Sequence, residues 1–271
     1  MGLYIAKEGD LKPVNGIYQC INRFGGVLPT YSGMYTGFMN GDKIAISTNK
    51  NDKVAIFTNN KDYGTSISGT IDGSATAYYS AFPYDAIVAI AKNIYTFDIP
   101  SVLQTYEDFY DRRAFIYVGY STKLSTLSLK TANSFFWFRS SIQGYSPDVC
   151  IDEIRISVND ESEGFVVKAK IDTKTGLITE SISTTKEMIY KGPIYCKKIY
   201  YLPIMPVSLA HGYTIRCITN NGKEYLIVKE GPYVLSRNSI KTLNLDIPEL
   251  YLQGINNIYT LKDSELKQIK V

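Results

Sequence analysis

The chain has 271 residues, with 29 lysines and arginines against 26 aspartates and glutamates, a formal charge of +3 with its single histidine, His211, neutral. That surplus is too small to define a nucleic-acid or membrane surface, no apolar run approaches the roughly 20 residues of a spanning helix, and 45% hydrophobic with 20% charged residues excludes a disordered chain. One histidine removes most histidine-based catalysis and nearly all zinc enzymology, which leaves a β-rich, non-catalytic protein long enough for two domains or one large one.

The predicted elements are short strands. Lys43–Thr48 and Lys53–Thr58 flank the polar link Asn49-Lys50-Asn51-Asp52 and read as a hairpin. Ala77–Tyr84 is an aromatic run carrying Pro83, which has no N–H for a ladder and marks an edge or a kink. Ser101–Phe109, after Pro100, has room for one or two helical turns. Ala114–Tyr120 and Ser134–Arg139 are further strands, the second holding the only tryptophan, Trp137. Glu153–Val158 alternates Ile154, Ile156 and Val158 with Glu153, Arg155 and Ser157, the pattern of a strand with one wet face. Gly164–Asp172 and Leu177–Ile182 embrace the turn Asp172-Thr173-Lys174-Thr175-Gly176, where glycine supplies a positive φ. Tyr213–Thr219 and Glu224–Lys229 bracket Asn220-Asn221-Gly222-Lys223, a hairpin signal. Ile240–Ile247 closes the strand series, and the tail Asp263–Val271 can also coil.

No segment has the sustained 3.6-residue stripe of a core helix. The 23 tyrosines fit pleated, half-buried surfaces, and they also suit a contact surface that combines area with a polar tip. The pattern is all-β, two tandem antiparallel β-sandwich domains. They are expected at 1–123 and 124–271, meeting between Ser121 and Ser146, with a C-terminal tail.

Cys20, Cys150, Cys196 and Cys217 show no CxxC spacing, so a zinc site is not expected. They read as free thiols, with a Cys196–Cys217 pairing across neighbouring strands as the alternative. Met1–Lys12 lacks the apolar stretch of a secretion signal. The protein is then cytosolic, or exported after removal of a signal.

The chemistry is thin. His211 beside Gly212 reads as a solvated turn residue, and GxSxG, Walker A, HExxH and EF-hand patterns are all missing from the sequence. Carboxylate chemistry has three candidate pairs, Glu107/Asp108, Asp152/Glu153 and Glu161/Glu163. Asp152 and Glu153, adjacent on a strand, point to opposite faces. Two aromatic clusters, Tyr78/Tyr79/Phe82/Tyr84 and Phe135–Phe138, are either core or a ring platform for sugars. Four successive aromatics place two on each face, so at least one pair is expected in the core.

Several short motifs follow one another in a familiar order: Gly41-Asp42-Lys43-Ile44, then Tyr78-Tyr79-Ser80-Ala81-Phe82-Pro83-Tyr84, then Ile151-Asp152-Glu153-Ile154-Arg155-Ile156, then Tyr200-Tyr201-Leu202-Pro203-Ile204-Met205-Pro206, and last Arg237-Asn238-Ser239-Ile240. Over about residues 41 to 247 the chain resembles the Mfa-like fimbrillin family of Bacteroidales surface fimbrial subunits. The family's lipoprotein signal with its acylated cysteine is not in this sequence, and the first domain is short.

The resemblance implies two transthyretin-like sandwiches in a non-enzymatic subunit or tip adhesin of the outer membrane or extracellular fimbrium, with no cofactor. It implies polymerisation by strand complementation with other subunits of the same or another kind, a lipid anchor carried by a signal region outside this chain, and a host protein or glycan as ligand. Nucleic acid is not an expected partner. Arg23, followed by Phe24-Gly25-Gly26, is the candidate processing site, releasing Gly16–Ile21. The candidate donor is the tail 251–271, through Leu252, Ile255, Ile258 and Leu261. A secreted glycan-binding sandwich is the alternative.

Overall fold

The computed structural model describes residues 11–14, 17–20, 38–50, 53–60, 67–71, 74–107, 110–124, 127, 129–142, 149–247, 258–262 and 265–269. The chain forms two compact units, one from Met1–Ile99, Arg112–Asn133 and Lys168–Ile182, the other from Pro100–Asp111, Ser134–Val167 and Ser183–Val271. The chain passes between the units at 99/100, 111/112, 133/134, 167/168 and 182/183. The segments 100–111 and 168–182 make the units interleaved in sequence.

In the first unit, β1 (Leu11–Val14) and β2 (Ile17–Cys20) form a separate hairpin. β3 (Lys43–Thr48), β4 (Ala55–Asn59), β5 (Ile67–Ser68), β6 (Tyr78–Phe82), β10 (Tyr117–Ser121) and β11 (Leu129–Thr131) make an antiparallel sheet in the order β11-β10-β6-β3-β4-β5. β6 is an interior strand, buried along its whole length because β3 and β10 flank it. Pro83 stands just beyond its last paired residue and turns the chain into a 3-10 turn at Tyr84–Ala86, so the proline marks a kink. A second sheet runs β15 (Ile178–Thr185), β14 (Phe165–Asp172), β8 (Ile94–Asp98), β7 (Ile87–Ala91). The chain changes unit within β14 and again within β15.

Tyr95 ties the two layers of this unit together. From β8 its hydroxyl accepts from the Ser47 amide at 3.1 Å and lies 2.8 Å from Ser47 Oγ and 3.1 Å from the Tyr79 carbonyl. Burial pushes its pKa up to about 12.

The second unit holds a seven-stranded sheet in the order β24 (Glu265–Ile269), β23 (Ile258–Lys262), β20 (Glu224–Glu230), β19 (Gly212–Thr219), β13 (Cys150–Val158), β16 (Glu187–Tyr195), β9 (Val102–Gln104). A three-stranded sheet runs β17 (Ile199–Ile204), β12 (Ser134–Ile142), β22 (Ile240–Ile247), and β18 (Val207–Leu209) pairs with β21 (Tyr233–Leu235). Phe136 on β12 meets Tyr213 on β19, with ring centroids 5.6 Å apart, and Tyr233 stands edge-on to Tyr213 at 4.6 Å. Phe135, on the other side of β12, faces Tyr110 at 6.1 Å. Both faces of β12 are therefore covered, and Phe135, Phe136 and Phe138 are all buried while Trp137 is half-buried.

The fold is an all-β sandwich fold, and among the described residues only two 3-10 turns interrupt the strands. Four details depart from expectation. Among the described residues three neighbouring pairs are parallel, β9–β16, β12–β22 and β20–β23. Long connections, not hairpin turns, join these partners. The described part of Ser101–Phe109, residues 101–107, does not start a helix. Leu103 is fully buried, Thr105 N and Oγ1 donate to the Lys191 carbonyl at 2.9 and 2.8 Å, and Asp111 accepts from the Gln104 amide at 2.8 Å, so tertiary pairing holds the segment extended as β9. The described part of the tail 263–271 is strand, paired antiparallel with β23. Finally, Glu153 is buried while keeping the face of Arg155 and Ser157, because Arg155 and the facing Lys191 close over it; a bulge between Ile151 and Glu153 interrupts the alternation just ahead of it, at the exposed Asp152.

Candidate functional site: sheet rims, aromatic clusters and carboxylates

The motif residues have structural work in this fold. Gly41 takes φ +84 in the turn before β3, and Asp42 accepts from the Met39 amide at 2.8 Å and pairs with Arg112. Asn238, at φ 59, turns the chain into β22, where the Ser239 carbonyl accepts from Phe135 N at 2.9 Å. Tyr200 and Tyr201 of β17 are buried, and the Tyr200 hydroxyl accepts from the Tyr195 amide at 2.9 Å.

The aromatic run at β6 is core. Tyr78, Tyr79 and Phe82 are buried and Tyr84 is half-buried, so no exposed row of rings exists there. Phe82 packs on Phe38 and Tyr117, with Arg112 5.7 Å from its centroid. Tyr79 stacks on the partly exposed Tyr120 at 5.6 Å, and Lys174 lies 5.7 and 5.1 Å from the two rings.

The carboxylate candidates are engaged in structural contacts. Glu107 pairs with Lys198 at 2.7 Å on an exposed surface, and Asp108 lies outside the described residues. Glu153 accepts from Arg155 Nε and Lys191 Nζ, and Arg155 reaches on to Glu187, which also accepts from Ser157 at 2.8 Å. Glu163 accepts from the Ala210 amide, and Lys186 donates to the Glu161 and Glu163 carbonyls.

His211 is exposed, with Nδ1 3.6 Å from Glu163 and 3.8 Å from Asp160. The Ser162 hydroxyl and amide hold the Asp160 carboxyl below its ordinary range. Asn159 stitches this end together, donating to the His211 and Lys229 carbonyls at 2.9 and 3.1 Å and accepting from Thr214 at 2.8 Å.

Cys217 is buried away from water, which pushes its thiol up to about 12, and Cys150 and Cys196 are also free thiols. The alternative Cys196–Cys217 pairing does not form.

The rims of the sheets carry the unpaired N–H and C=O groups that an added strand needs. In the six-stranded sheet they are short, with two residues in β5 and three in β11. The four-stranded sheet ends on longer strands, β7 with five residues and β15 with eight. In the second unit β20 is lengthened outward by β23, with Tyr225, Leu226 and Ile227 opposite Tyr259, Thr260 and Leu261, and β24 follows.

The candidate donor residues Ile258 and Leu261 thus belong to a strand laid on the chain's own β20, while Leu252, Ile255 and Arg23 lie outside the described residues. The parallel laying of the tail on β20 was not legible in the sequence, because no turn connects the two strands.

No family model and no curated protein matches the chain. Solved structures do. The chain superposes with a TM-score of 0.52 on a "putative cell adhesion protein" from Bacteroides ovatus, at 10% identity over 89% of each chain. It superposes with the same score on one from Bacteroides uniformis, at 13% identity over 88% of this chain and 92% of the other. The tip fimbrial protein Mfa3 of Porphyromonas gingivalis, at 8% identity over 88% and 95%, gives 0.41, too loose to bear weight. At these identities the likeness concerns the fold: the chain shares the all-β architecture of two Bacteroides proteins described as adhesion proteins, consistent with its resemblance to the Mfa-like fimbrillins.

Proposed function

We propose that this chain is a non-enzymatic, cell-surface fimbrial subunit or tip adhesin that joins other subunits by β-strand complementation. The observation that supports the reading is the tail. Ile258–Lys262 and Glu265–Ile269 are strands added to the rim of the seven-stranded sheet, on a neighbour, β20, to which no hairpin connects them. A strand added at a sheet rim is the kind that exchanges between copies, because the same backbone bonds form with the rim of another molecule.

In this proposal Arg23 is cut, the segment before it leaves, and the tail 251–271 of one subunit fills the place on the next through Leu252, Ile255, Ile258 and Leu261. The transthyretin-like character of the sandwiches belongs to the same proposal, as do two domains meeting within 121–146. So do the outer-membrane or extracellular location, a lipid anchor from a signal region, and a host protein or glycan as ligand.

Limited digestion with an Arg-specific protease, followed by mass and size analysis, tests it. The expected result is one cut after Arg23 and the appearance of ladders, with none from a chain lacking residues 250–271. A cut chain that stays monomeric, or a tail-less chain that still forms ladders, overturns it.

A further inference from the structure

The four-stranded sheet ends on β7, whose sequence is IVAIA and whose one strand neighbour among the described residues is β8. Two of the ordinary protections of a rim are missing here. The strand has no charge within it and no proline, and Val88 is 53% exposed.

A bulge against β8, between Ile87 and Ala89, shapes what the strand offers. Ile87 is opposite Phe97 and Ile90 opposite Tyr95, both core residues, so Ile87 and Ile90 share the inner face although three residues apart. Both are only half-buried, at the margin of the core, while Val88 and Ala89 are both exposed. The strand therefore reads in, out, out, in.

Charge completes the pattern. Asp85 precedes the strand and Lys92 follows it, both exposed, and among the described residues neither forms an ion pair. The ladder residues Ile87-Val88-Ala89-Ile90 match themselves when reversed, isoleucine against isoleucine and valine against alanine, with an acid, Asp85 of the 3-10 turn, at one end and a base, Lys92, at the other; Ala86, buried in that turn, and the exposed Ala91 lie outside the match.

We propose that β7 is the contact through which two copies of this chain pair, rim to rim and antiparallel, about a two-fold axis between Val88 and Ala89. Such an axis stands perpendicular to the sheet and keeps inner faces on one side, so opposed residues must share a face. A regular strand forbids an axis between two residues, because those two point to opposite faces; the bulge, by turning Val88 and Ala89 the same way, permits it. Ile87 of each copy then lies opposite Ile90 of the other, closing the margin of both cores. Asp85 of each meets Lys92 of the other at both ends. This contact uses no residue of 251–271 and stands apart from strand exchange by the tail.

Sedimentation equilibrium of the full chain at low ionic strength tests the pairing. A single rim contact is small, so a dimer with a dissociation constant of about 10 to 100 μM is expected. Val88→Lys brings two like charges together near the axis and is expected to abolish the dimer without changing the circular-dichroism spectrum. Asp85→Lys and Lys92→Asp are each expected to weaken it by about tenfold, and the double exchange to restore it within about threefold, because opposite charges face each other again.

Lys92 sits at φ 54, a conformation aspartate tolerates, so Lys92→Asp keeps the turn. A chain that stays monomeric to about 200 μM overturns the proposal, as does a dimer that Val88→Lys leaves unchanged or a double exchange that rescues nothing. A chain lacking residues 250–271 is expected to lose ladders and keep this dimer, which separates the two proposals.

Discussion

The hydroxyl of Tyr190, on β16, donates to the carbonyl of Pro203, on β17, at 2.9 Å, and so joins the seven-stranded and three-stranded sheets of the second unit. Tyr190 is fully buried, and burial drives its ionisation far above the ordinary tyrosine value. Tyr190→Phe keeps the ring and orphans the carbonyl, which costs about 1 to 2 kcal/mol. Tyr190→Ala adds a cavity and costs about 3 to 5 kcal/mol. Urea denaturation of the two variants checks both the direction and the order.

Tyr95 gives the first unit an alkaline limit. Its pKa rises from 10.0 to about 12 on folding, so the folded state holds the proton more tightly than the unfolded one. The stabilisation is present in full below pH 10 and is lost as pH rises from about 10 through about 12, because there the unfolded chain has already released its proton. Tyr95→Phe is expected to lower stability at neutral pH and to flatten the decline above pH 10. Thermal unfolding at steps from pH 8 to pH 11.5 reads both effects.

The Glu153 network is expected to be asymmetric. Glu153 is buried, whereas Arg155 and Lys191 are over a third exposed, so their screened charges add less than the geometry suggests. Glu153→Ala leaves two cations at one buried point and is expected to cost about 2 kcal/mol. Arg155→Ala leaves Glu153 paired with Lys191 and is expected to cost under about 1 kcal/mol. Denaturant midpoints measured in parallel distinguish the two.

Two glycines with the same backbone angle are expected to respond differently. Gly212 has φ +80, and a Cβ there would lie 2.0 Å from the Lys229 carbonyl oxygen; Gly222 has φ +77 with nothing within 4 Å. Gly222→Ala carries only the left-handed penalty, about 1 to 2 kcal/mol. Gly212→Ala must also displace backbone between β19 and β20, and is expected to cost more than about 3 kcal/mol or to prevent folding. Melting curves of both variants settle the ranking.

Local signals made much of this fold legible. The hairpin of β3 and β4, the Asp172 turn with Gly176 at φ +71, the Asn-Gly turn before β20 and the bounds of β22 all follow from alternation and turn chemistry within a dozen residues. In that turn Asp172 accepts from the Lys174 and Thr175 amides at 2.7 and 3.0 Å, as a turn aspartate should.

What sequence reasoning missed depends on distant partners. β9 is extended because β16 and Asp111 hold it so, and nothing within Ser101–Phe109 says that. At least one buried pair in Phe135–Phe138 could be expected from alternation, but not that β12 has Tyr110 on one side and Tyr213 on the other, so that both its faces are covered. Glu153 looked solvated because alternation places it on the outer face and cannot show that Arg155 and Lys191 cover it there. At the rims, neither the strand β7 nor its place at the end of a sheet was read from the sequence.

The parallel pairing of β12 with β22 also bears on how the chain comes to be folded. Phe135 waits for Ile240, about a hundred residues later in synthesis, before its ladder can close. Contacts of such long range are slow to form, and the strands that await them remain sticky. During translation the aromatic strand around Trp137 therefore leaves the ribosome long before its partner, and the second unit completes only when nearly the whole chain has been made. A nascent chain arrested before residue 240 is accordingly the species most dependent on a chaperone.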